Sequence, residues 1–269
     1  MAYRGVLEDV RACLSGEVPE RLPVFAMSQV FDAVSAGHTF EKAENDKQLL
    51  LDCVSHGIDT YDWDWAWPVV GDSVTFEPLG FDFGPQLGGR GNDPYIVTSH
   101  RPATYETLKE MRVPDLRSEC RMHYVLDALE TLKARYGETT CVTGWVVGPM
   151  QCVAYLYGVS DSMLLTYDHP QLLKDTIAFF VDQIIAVADA EIEAGADAVF
   201  IPVLRAASYF LAPTQYREFL LPAHEQVFRH LAERHTPVFF HPNEPTAERL
   251  RLMASLDRHC DLALTVGSE

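Results

Sequence analysis

Short apolar runs alternate with longer amphipathic segments along most of this chain. The short runs, rich in Val, Ile and Phe, are typical of buried parallel strands, and segments with an apolar residue every third or fourth position are typical of helices that pack on one face. The predicted strands are residues 21–27, 58–65, 141–147, 198–203, 237–241 and 261–266. The predicted helices are the N-terminal segment and residues 40–55, 120–136, 150–166, 169–194, 213–234 and 246–255. These repeats predict an α/β fold with a parallel sheet, of the (β/α) barrel type, in a single domain over residues 1–269.

Residues 72–100 break this rhythm. Two β-rich stretches flank a turn that contains Gly88, Gly89 and Gly91. A segment this long and this regularly patterned predicts a β-hairpin excursion rather than a plain loop. We expect the hairpin to lie near the rim of the barrel.

Composition and charge narrow the class of function. Apolar residues make up 48% of the chain, which is enough for a core, and the net charge is −18. A chain this acidic lacks the basic face that nucleic acids and anionic membranes attract, so neither is a predicted partner. No stretch approaches the ~18–20 uninterrupted apolar residues of a membrane span, and the N-terminus lacks the apolar core of a signal peptide. The six cysteines form no CxxC pair, which is typical of reduced thiols in a cytoplasmic protein.

The segment 141–158 carries the clearest indication of a site. Its apolar strand ends at Gly148 and Pro149, and the helix that follows carries Tyr155. Ligands of α/β folds bind at the carboxyl ends of the strands, so these residues are expected beside a pocket. The alternative is an ordinary strand-to-helix turn with aromatic core residues.

Aspartates and tryptophans alternate in the second predicted strand. On a strand, Asp62 and Asp64 share one face, while Tyr61, Trp63 and Trp65 share the other. Carboxylates beside tryptophans at a strand end are candidates for a raised pKa and for acid–base work, or for binding the N–H groups of a pterin or pyrrole. The alternative is that the aspartates cap the next loop and that the tryptophans are core.

Several short motifs follow one another in a fixed order. They are Arg-Leu-Pro-Val at 21–24, Gly-Trp-Val-Val-Gly-Pro-Met at 144–150, Tyr-Leu-Tyr-Gly at 155–158, Asp-His-Pro at 168–170, Glu-Ala-Gly-Ala-Asp-Ala-Val at 193–199, Leu-Ala-Pro-Thr-Gln-Tyr-Arg-Glu-Phe-Leu-Leu-Pro at 211–222, and Pro-Val-Phe-Phe-His at 237–241. In this order and spacing the chain resembles the uroporphyrinogen decarboxylase superfamily, and within it the corrinoid-dependent methyltransferases more than the decarboxylases.

The resemblance implies a (β/α)8 TIM-type barrel with its site at the C-terminal mouth. In the methyltransferase branch, the methyl group comes from a corrinoid (methylcobalamin) on a partner protein. It goes to a thiol activated by zinc, or to a pterin such as tetrahydrofolate without zinc. In the decarboxylases, arginines near the N-terminus hold the substrate carboxylates. Residues 25–31 of this chain contain no arginine, so decarboxylation of a highly carboxylated tetrapyrrole is disfavoured.

The resemblance also raises the question of zinc. Thiol-methylating relatives end the fifth strand in His-x-Cys and carry a second cysteine later, whereas this chain has His241 followed by Asn243. Soft thiolates make such a zinc site tight, so zinc is possible here but lacks a full ligand set. His241 would be a ligand together with Glu244 or Glu269 as oxygen donors. Alternatively, His241 hydrogen-bonds substrate or backbone.

The fourth predicted strand differs from many relatives, which carry an acidic residue where this chain has Val203. Arg205, two residues later, is a candidate contact for an anionic ligand.

The relatives continue for two strand–helix units beyond the sixth predicted strand, so the barrel is expected to lack its last two units. Its open edge would expose apolar side chains of the first and last strands. These are Leu22, Val24, Leu262, Leu264 and Val266. Soluble monomers rarely expose such a patch, so we expect a homo-oligomer or a partner along this edge.

Two functions are consistent with these observations. In the first, the chain is a methyltransferase that moves a methyl group between a corrinoid protein and a small thiol or pterin acceptor. Its predicted catalytic residues are Tyr155, Asp62 and Asp64, its predicted substrate-binding residues are Trp63, Gly148, Asn243 and Arg205, and its predicted metal ligands are His241 and Glu269. In the second, the chain is a non-catalytic or regulatory barrel of the same family that has lost its metal site.

Overall fold

The structure, a computed structural model, describes residues 3–85, 91–93 and 95–264. Its helices are α1 Val6–Leu14, α2 Gln29–Ser35, α3 Phe40–Glu44, α4 Lys47–Tyr61, α5 Tyr105–Glu110, α6 Met122–Tyr136, α7 Pro149–Tyr157, α8 Val159–Asp168, α9 Pro170–Glu193, α10 Pro213–Gln215, α11 Leu221–Glu233 and α12 Ala247–Ala254. Its strands are β1 Trp65–Ala66, β2 Phe83–Pro85, β3 Tyr95–Val97, β4 Cys141–Trp145, β5 Ala198–Pro202, β6 Val238–His241 and β7 Leu262–Leu264. Short 3-10 turns at Val74–Leu79, Leu204–Ala206 and Ser255–Arg258 and a π-helical turn at Tyr216–Leu220 complete the regular structure.

A parallel sheet forms the centre of the molecule, with strands in the order β1-β4-β5-β6-β7. Each strand pairs in parallel with the next one in this order. Parallel neighbours need a crossover connection, and helices provide it here. Sequential parallel strands with helical crossovers are the arrangement of a TIM-type barrel, so the predicted α/β fold class is confirmed.

Alternate strand residues face two different cores. The outward-facing residues join the larger core, together with α6, α7, α9 and α11; they include Ala66, Val142, Val199, Ile201, Val238 and Phe240. The inward-facing residues form a smaller core with Val6 and Val10 of α1; they include Trp65, Cys141, Ala198, Phe200 and Phe239. Helix α1 therefore packs against the inside of the sheet.

The last strand and the first predicted one differ in exposure. Leu262 and Leu264 of β7 are half-buried and pack against the larger core, so the expectation that they form an exposed apolar face is not met. Leu22 and Val24 are 74% and 52% exposed. Val266 lies outside the described residues.

The strand predicted at residues 21–27 is wrong. Residues 22–28 have no regular secondary structure. The Val24 amide donates to the Asp64 carboxylate at 2.6 Å, and the Val24 carbonyl accepts from the Asp64 amide at 3.2 Å. A side chain therefore fixes this segment in place of a strand ladder, and Phe25 packs on Trp65 with ring centroids 5.1 Å apart.

The strand predicted at residues 58–65 is also wrong over most of its length. Helix α4 continues to Tyr61, because Leu50, Val54 and Ile58 recur every fourth position and are buried together. Asp62 ends the helix in the left-handed conformation, with φ of 55°. Strand β1 begins only at Trp65.

The region 72–100 contains a 3-10 turn at Val74–Leu79 and then an antiparallel pair, β2 with β3, with Phe83 opposite Val97. Gly88 and Gly89, which were expected in the turn of this hairpin, lie outside the described residues. Strand β3 contacts helix α7, so the pair lies beside the helix that follows β4.

Candidate functional site

Aromatic side chains fill the inside of the sheet. The ring centroids of Trp65 and Trp67 are 4.7 Å apart, those of Trp67 and Trp145 are 4.9 Å apart, and Trp145 stacks on Phe200 at 5.1 Å. The indole nitrogens of Trp65, Trp67 and Trp145 are buried and have no hydrogen-bond acceptor among the described residues. Buried indole N–H groups ordinarily find an acceptor, so this interior is suited to a ligand that offers one.

A cleft of about 400 Å³ opens along this interior. Its walls are α1, the extended segment 22–27, the inner faces of β5 and β6, and β7. Phe25, Phe200, Phe239 and His241 line it. This size and this mostly apolar lining fit a small organic ligand.

His241 is the polar residue at the end of β6. Its imidazole stacks on Phe200, with ring centroids 5.7 Å apart and planes 26° apart. Partial burial lowers the pKa of His241 below its usual value of 6.5. The ring is therefore neutral at pH 7, the form that accepts a hydrogen bond or binds a metal.

The Glu244 carboxylate accepts hydrogen bonds from the loops around it. Its carboxylate accepts from the Ser208 amide at 2.8 Å and from the Thr246 amide and hydroxyl at 2.8 and 2.6 Å. The carbonyl of Asn243 accepts from the Tyr209 hydroxyl at 3.0 Å, and Asn243 has φ of 47°. These bonds join the loops after β5 and β6, so Asn243 through its backbone carbonyl and Glu244 through its carboxylate hold these loops together.

These residues do not fit a zinc site. Within residues 3–85, 91–93 and 95–264, no three His, Cys, Asp or Glu side chains come close enough together to hold a metal ion. The hydrogen bonds of Glu244 occupy the oxygens that were predicted as ligands. Glu269 lies outside the described residues, so His241 has no ligand set with it here.

Gly148 allows two strand ends to approach closely. Its amide donates to the Pro202 carbonyl at 3.1 Å. A Cβ atom at this position would lie 2.5 Å from Val203 Cγ1 and 2.9 Å from the Pro202 oxygen. Gly148 therefore holds the ends of β4 and β5 together, which accounts for a glycine here without any contact to substrate.

Tyr155 is paired with an aspartate that the sequence did not single out. The Tyr155 hydroxyl donates to the Asp72 carboxylate at 3.1 Å. Burial raises the pKa of Asp72, and the hydrogen bond from Tyr155 opposes that rise. Burial and the Asp72 charge raise the pKa of Tyr155 far above 10, so its phenol stays protonated.

Asp72 lies in the loop after the buried run of residues 65–70 that contains β1. Its signal in the sequence is its position, because the first polar residue after a barrel strand lies at the mouth. The strand predicted at 58–65 ends seven residues before Asp72, so that prediction does not place Asp72 at a strand end.

Asp62, Trp63 and Asp64 were predicted as site residues, but none of them lines the cleft. Asp62 is exposed at the end of α4. The Asp64 carboxylate is 2% exposed and binds the Arg21 guanidinium and the Val24 amide. Trp63 stacks on Tyr61 at 5.3 Å. Their predicted arrangement on two faces of one strand is wrong, and Asp64 anchors the N-terminal segment.

Arg205 is held in the turn after β5. Its guanidinium lies over the Phe210 ring, 5.2 Å from the centroid. It is half-buried, and its Nε has no hydrogen-bond partner in the part of the chain described. A half-buried guanidinium with a free N–H is suited to an anionic group.

Comparison with known proteins decides the family. The sequence profile of uroporphyrinogen decarboxylase (URO-D) matches residues 7–264. The chain belongs to the uroporphyrinogen decarboxylase family. The predicted resemblance is thereby confirmed, and the relatives of this URO-D family member include methyltransferases as well as decarboxylases.

Three relatives illustrate both branches. The methylcobamide:CoM methyltransferase MtaA of Methanosarcina barkeri is 23% identical over 220 residues, which cover 78% of this chain and 61% of that protein. The uroporphyrinogen decarboxylase of Aromatoleum aromaticum is 29% identical over 126 residues, 45% of this chain and 34% of that protein. A solved structure, a methyltransferase from Methanosarcina mazei, has a TM-score of 0.82 and 21% identity, and covers 97% of this chain and 75% of that one.

The structural likeness shows that this URO-D family member shares the fold of that methyltransferase. The chain spans about three fifths of the length of the curated methyltransferase. Among its described helices, none is long and apolar enough to cross a membrane.

Proposed function

We propose that this chain is a methyltransferase that moves a methyl group between a corrinoid on a partner protein and a small acceptor, a thiol or a pterin. The observation that carries the proposal is the chemistry of the interior. Trp65 lines the aromatic cleft and Trp67 and Trp145 pack beside it, and the buried indole nitrogens of all three have no acceptor among the described residues. Arg205 is half-buried, and among the described residues it forms no ion pair.

This interior is unsuited to a highly carboxylated tetrapyrrole. Each buried carboxylate needs a cation or several hydrogen bonds to offset its desolvation. Arg21, which lies near the cleft wall, is engaged with Asp64. An acceptor with one anionic or polar end and a flat or short apolar body matches the cleft better.

The residues at the mouth have distinct tasks in this reaction. The aromatic walls exclude water and orient the acceptor, and Arg205 binds its anionic end. The neutral imidazole of His241 accepts a hydrogen bond from the acceptor S–H or N–H. Methyl transfer would join the acceptor sulfur or nitrogen to the methyl carbon, the electron pair of the methyl–cobalt bond would stay with the corrinoid, and the neutral His241 imidazole would take up the proton that the acceptor releases. The corrinoid supplies the methyl group when its carrier protein docks at the mouth.

Tyr155 and Asp72 supply a second polar group at the mouth. The protonated phenol of Tyr155 fixes one oxygen of the Asp72 carboxylate. The other oxygen is then oriented toward a ligand donor, such as an N–H group of a pterin.

The test is demethylation of methylcobalamin, followed by absorbance, with thiol or tetrahydrofolate acceptors. We expect turnover with one acceptor class and its loss in His241→Ala. Arg205→Ala should raise KM for an anionic acceptor by roughly tenfold or more, the effect of losing one charged hydrogen bond. His38→Ala and Arg217→Ala, at exposed positions, are the matched controls.

The outcomes separate the candidate functions. Acceptor binding by calorimetry without turnover, in a folded sample supplied with methylcobalamin, would contradict the proposal and favour the non-catalytic barrel. Turnover of uroporphyrinogen would contradict it in favour of the decarboxylases. If the wild-type protein binds one equivalent of zinc and the His241→Ala variant binds none, the conclusion that these residues do not fit a zinc site is wrong.

We also infer that the chain self-associates through its extended N-terminal segment. Leu22, Val24 and Met27 are 74%, 52% and 56% exposed on one side of the cleft. Burying such a patch is favourable, and soluble monomers rarely expose one. Light scattering at micromolar concentration is expected to give a dimer or larger, and Leu22→Glu should weaken it. A monomeric wild-type mass would contradict this inference.

A further inference from the structure

Strands β1 and β4 separate near the mouth. There a buried carboxyl group replaces the backbone hydrogen bonds between them. Their pairing covers only Trp65 with Cys141 and Ala66 with Val142. Beyond it, the Trp145 amide donates to Glu191 Oε1 of helix α9 at 2.9 Å. The Glu191 side chain is fully buried.

The backbone leaves room for this carboxyl at Gly144. A Cβ atom there would lie 2.3 Å from Glu191 Oε2. Gly144 therefore lets the end of α9 place a carboxyl directly on the strand. The mechanism proposed above does not use this group.

A cavity of about 40 Å³ is lined by both Glu191 and Asp72, and most of its other lining residues are apolar. Gln183 and Cys152 also line it. Glu191 Oε2 and Gln183 Oε1 are buried, and neither has a hydrogen-bond partner among the described residues. Gln183 and Glu191 are eight residues apart on one helix, a rise of about 12 Å, so the cavity is elongated.

The chemistry of this cavity determines its contents. A water needs about 10–15 Å³ of such volume and two or more polar partners, so this one has space for about two or three waters. Empty cavities in proteins are apolar, whereas buried carboxyl and amide oxygens bind water. A file of three hydrogen-bonded waters, with four bonds of about 2.8 Å, spans about 11 Å, close to the rise along α9 between Glu191 and Gln183.

We propose that ordered waters in this cavity join Glu191 through Gln183 to Asp72, and that Glu191 is a positioning residue for the Asp72 carboxylate. Glu191 donates its carboxyl proton to the first water, one water of the file also donates to Gln183 Oε1, and the last water donates to Asp72. The role does not depend on which acceptor, if any, the mouth binds.

The electrostatics support this direction of donation. Burial raises the pKa of Glu191 well above 4.5, and the hydrogen bond from the Trp145 amide opposes this only in part. The other ionisable groups at the cavity and its rim are Cys152, Asp72 and Tyr155, and burial raises the pKa of each of them. The burial of Glu191 Oε2 without a partner among the described residues favours the neutral, donating form of this carboxyl, and a donor that acts through water stabilises the charged form of Asp72.

The first test is the titration of Asp72, followed by carbon NMR with aspartate-labelled protein and assigned with Asp72→Asn. Glu191→Met removes the donor and should raise the pKa of Asp72 by on the order of one unit. Glu191→Gln keeps an N–H donor at the same place and should change it by less than about half a unit. An unchanged titration in Glu191→Met, or a lowered pKa in Glu191→Gln, would overturn the proposal.

The second test needs no variant that risks misfolding. A high-resolution crystal structure of the wild type should contain two or three waters that connect Glu191 to Asp72. The infrared spectrum of the wild-type protein should contain a protonated-carboxyl band. The Glu191→Gln variant should lack this band. A dry cavity, or waters that do not reach Asp72, would overturn the proposal even if the Met variant does not fold.

Discussion

Replacing Asp64 with alanine should destabilise the fold by about 3 kcal/mol while leaving the chemistry of the mouth intact. The Asp64 carboxylate is 2% exposed and holds two charge-assisted hydrogen bonds, from Arg21 and from the Val24 amide. Each such bond contributes about 1.5–3 kcal/mol. Arg21 is 38% exposed in the folded protein, so water recovers part of the loss, and the lower half of the sum is the reasonable value.

Urea denaturation measures this change directly. For a domain of this size, about 3 kcal/mol corresponds to a fall in Tm on the order of 10 °C. Asp62→Asn is the matched control, because Asp62 is exposed and asparagine tolerates its left-handed conformation. The control should stay within about 0.5 kcal/mol of wild type.

The opposite pattern would refute this reasoning. If Asp64→Ala unfolds at the wild-type urea concentration but abolishes methyl transfer, Asp64 acts in catalysis and not as an anchor. A loss of stability in Asp62→Asn equal to that of Asp64→Ala would likewise show that the hydrogen bonds to Arg21 and Val24 are not the cause.

Two further predictions concern the core. Gly148→Ala should cost about 1–3 kcal/mol by overpacking, because its Cβ would lie 2.5 Å from Val203 Cγ1; a wild-type thermal midpoint would contradict the close approach of β4 and β5. His224 is fully buried against the Tyr216 hydroxyl at 2.9 Å, and burial lowers its pKa to about 3 from 6.5. The unfolded chain therefore binds a proton below pH 6.5 that the folded chain rejects, so wild type should lose about 2 kcal/mol between pH 7 and pH 5 that His224→Asn does not lose. Parallel pH profiles of the two proteins in urea would contradict the burial of a neutral imidazole.

The predicted site residues show where local reasoning stops. Tyr155 follows a strand end in the sequence, and in the structure its hydroxyl donates to Asp72, while its catalytic role stays a prediction. Asp62 and Asp64 were chosen for their alternation with tryptophans, and they belong to a helix end and an anchor. Alternation over so few residues does not distinguish a strand from the last turn of a helix.

The repeating strands and helices follow from the amino-acid sequence alone. Apolar periodicity is a local property, so β4, β5, β6 and the long helix α9 follow from the spacing of their own side chains. The order of short motifs added the family. These features need no knowledge of which residues meet in space.

The grouping of polar side chains at the mouth depends on packing between distant parts of the chain. Helix α4 runs on through Gly57, where a Cβ would lie 2.2 Å from the Asp32 carboxylate, and this contact comes from a different helix. With β1 starting at Trp65, Asp72 follows its buried run and accepts a hydrogen bond from Tyr155. Glu191 likewise reaches β4 only because Gly144, 47 positions earlier in the chain, leaves space for it. Contacts between residues far apart in sequence arise from packing, and no local pattern records them.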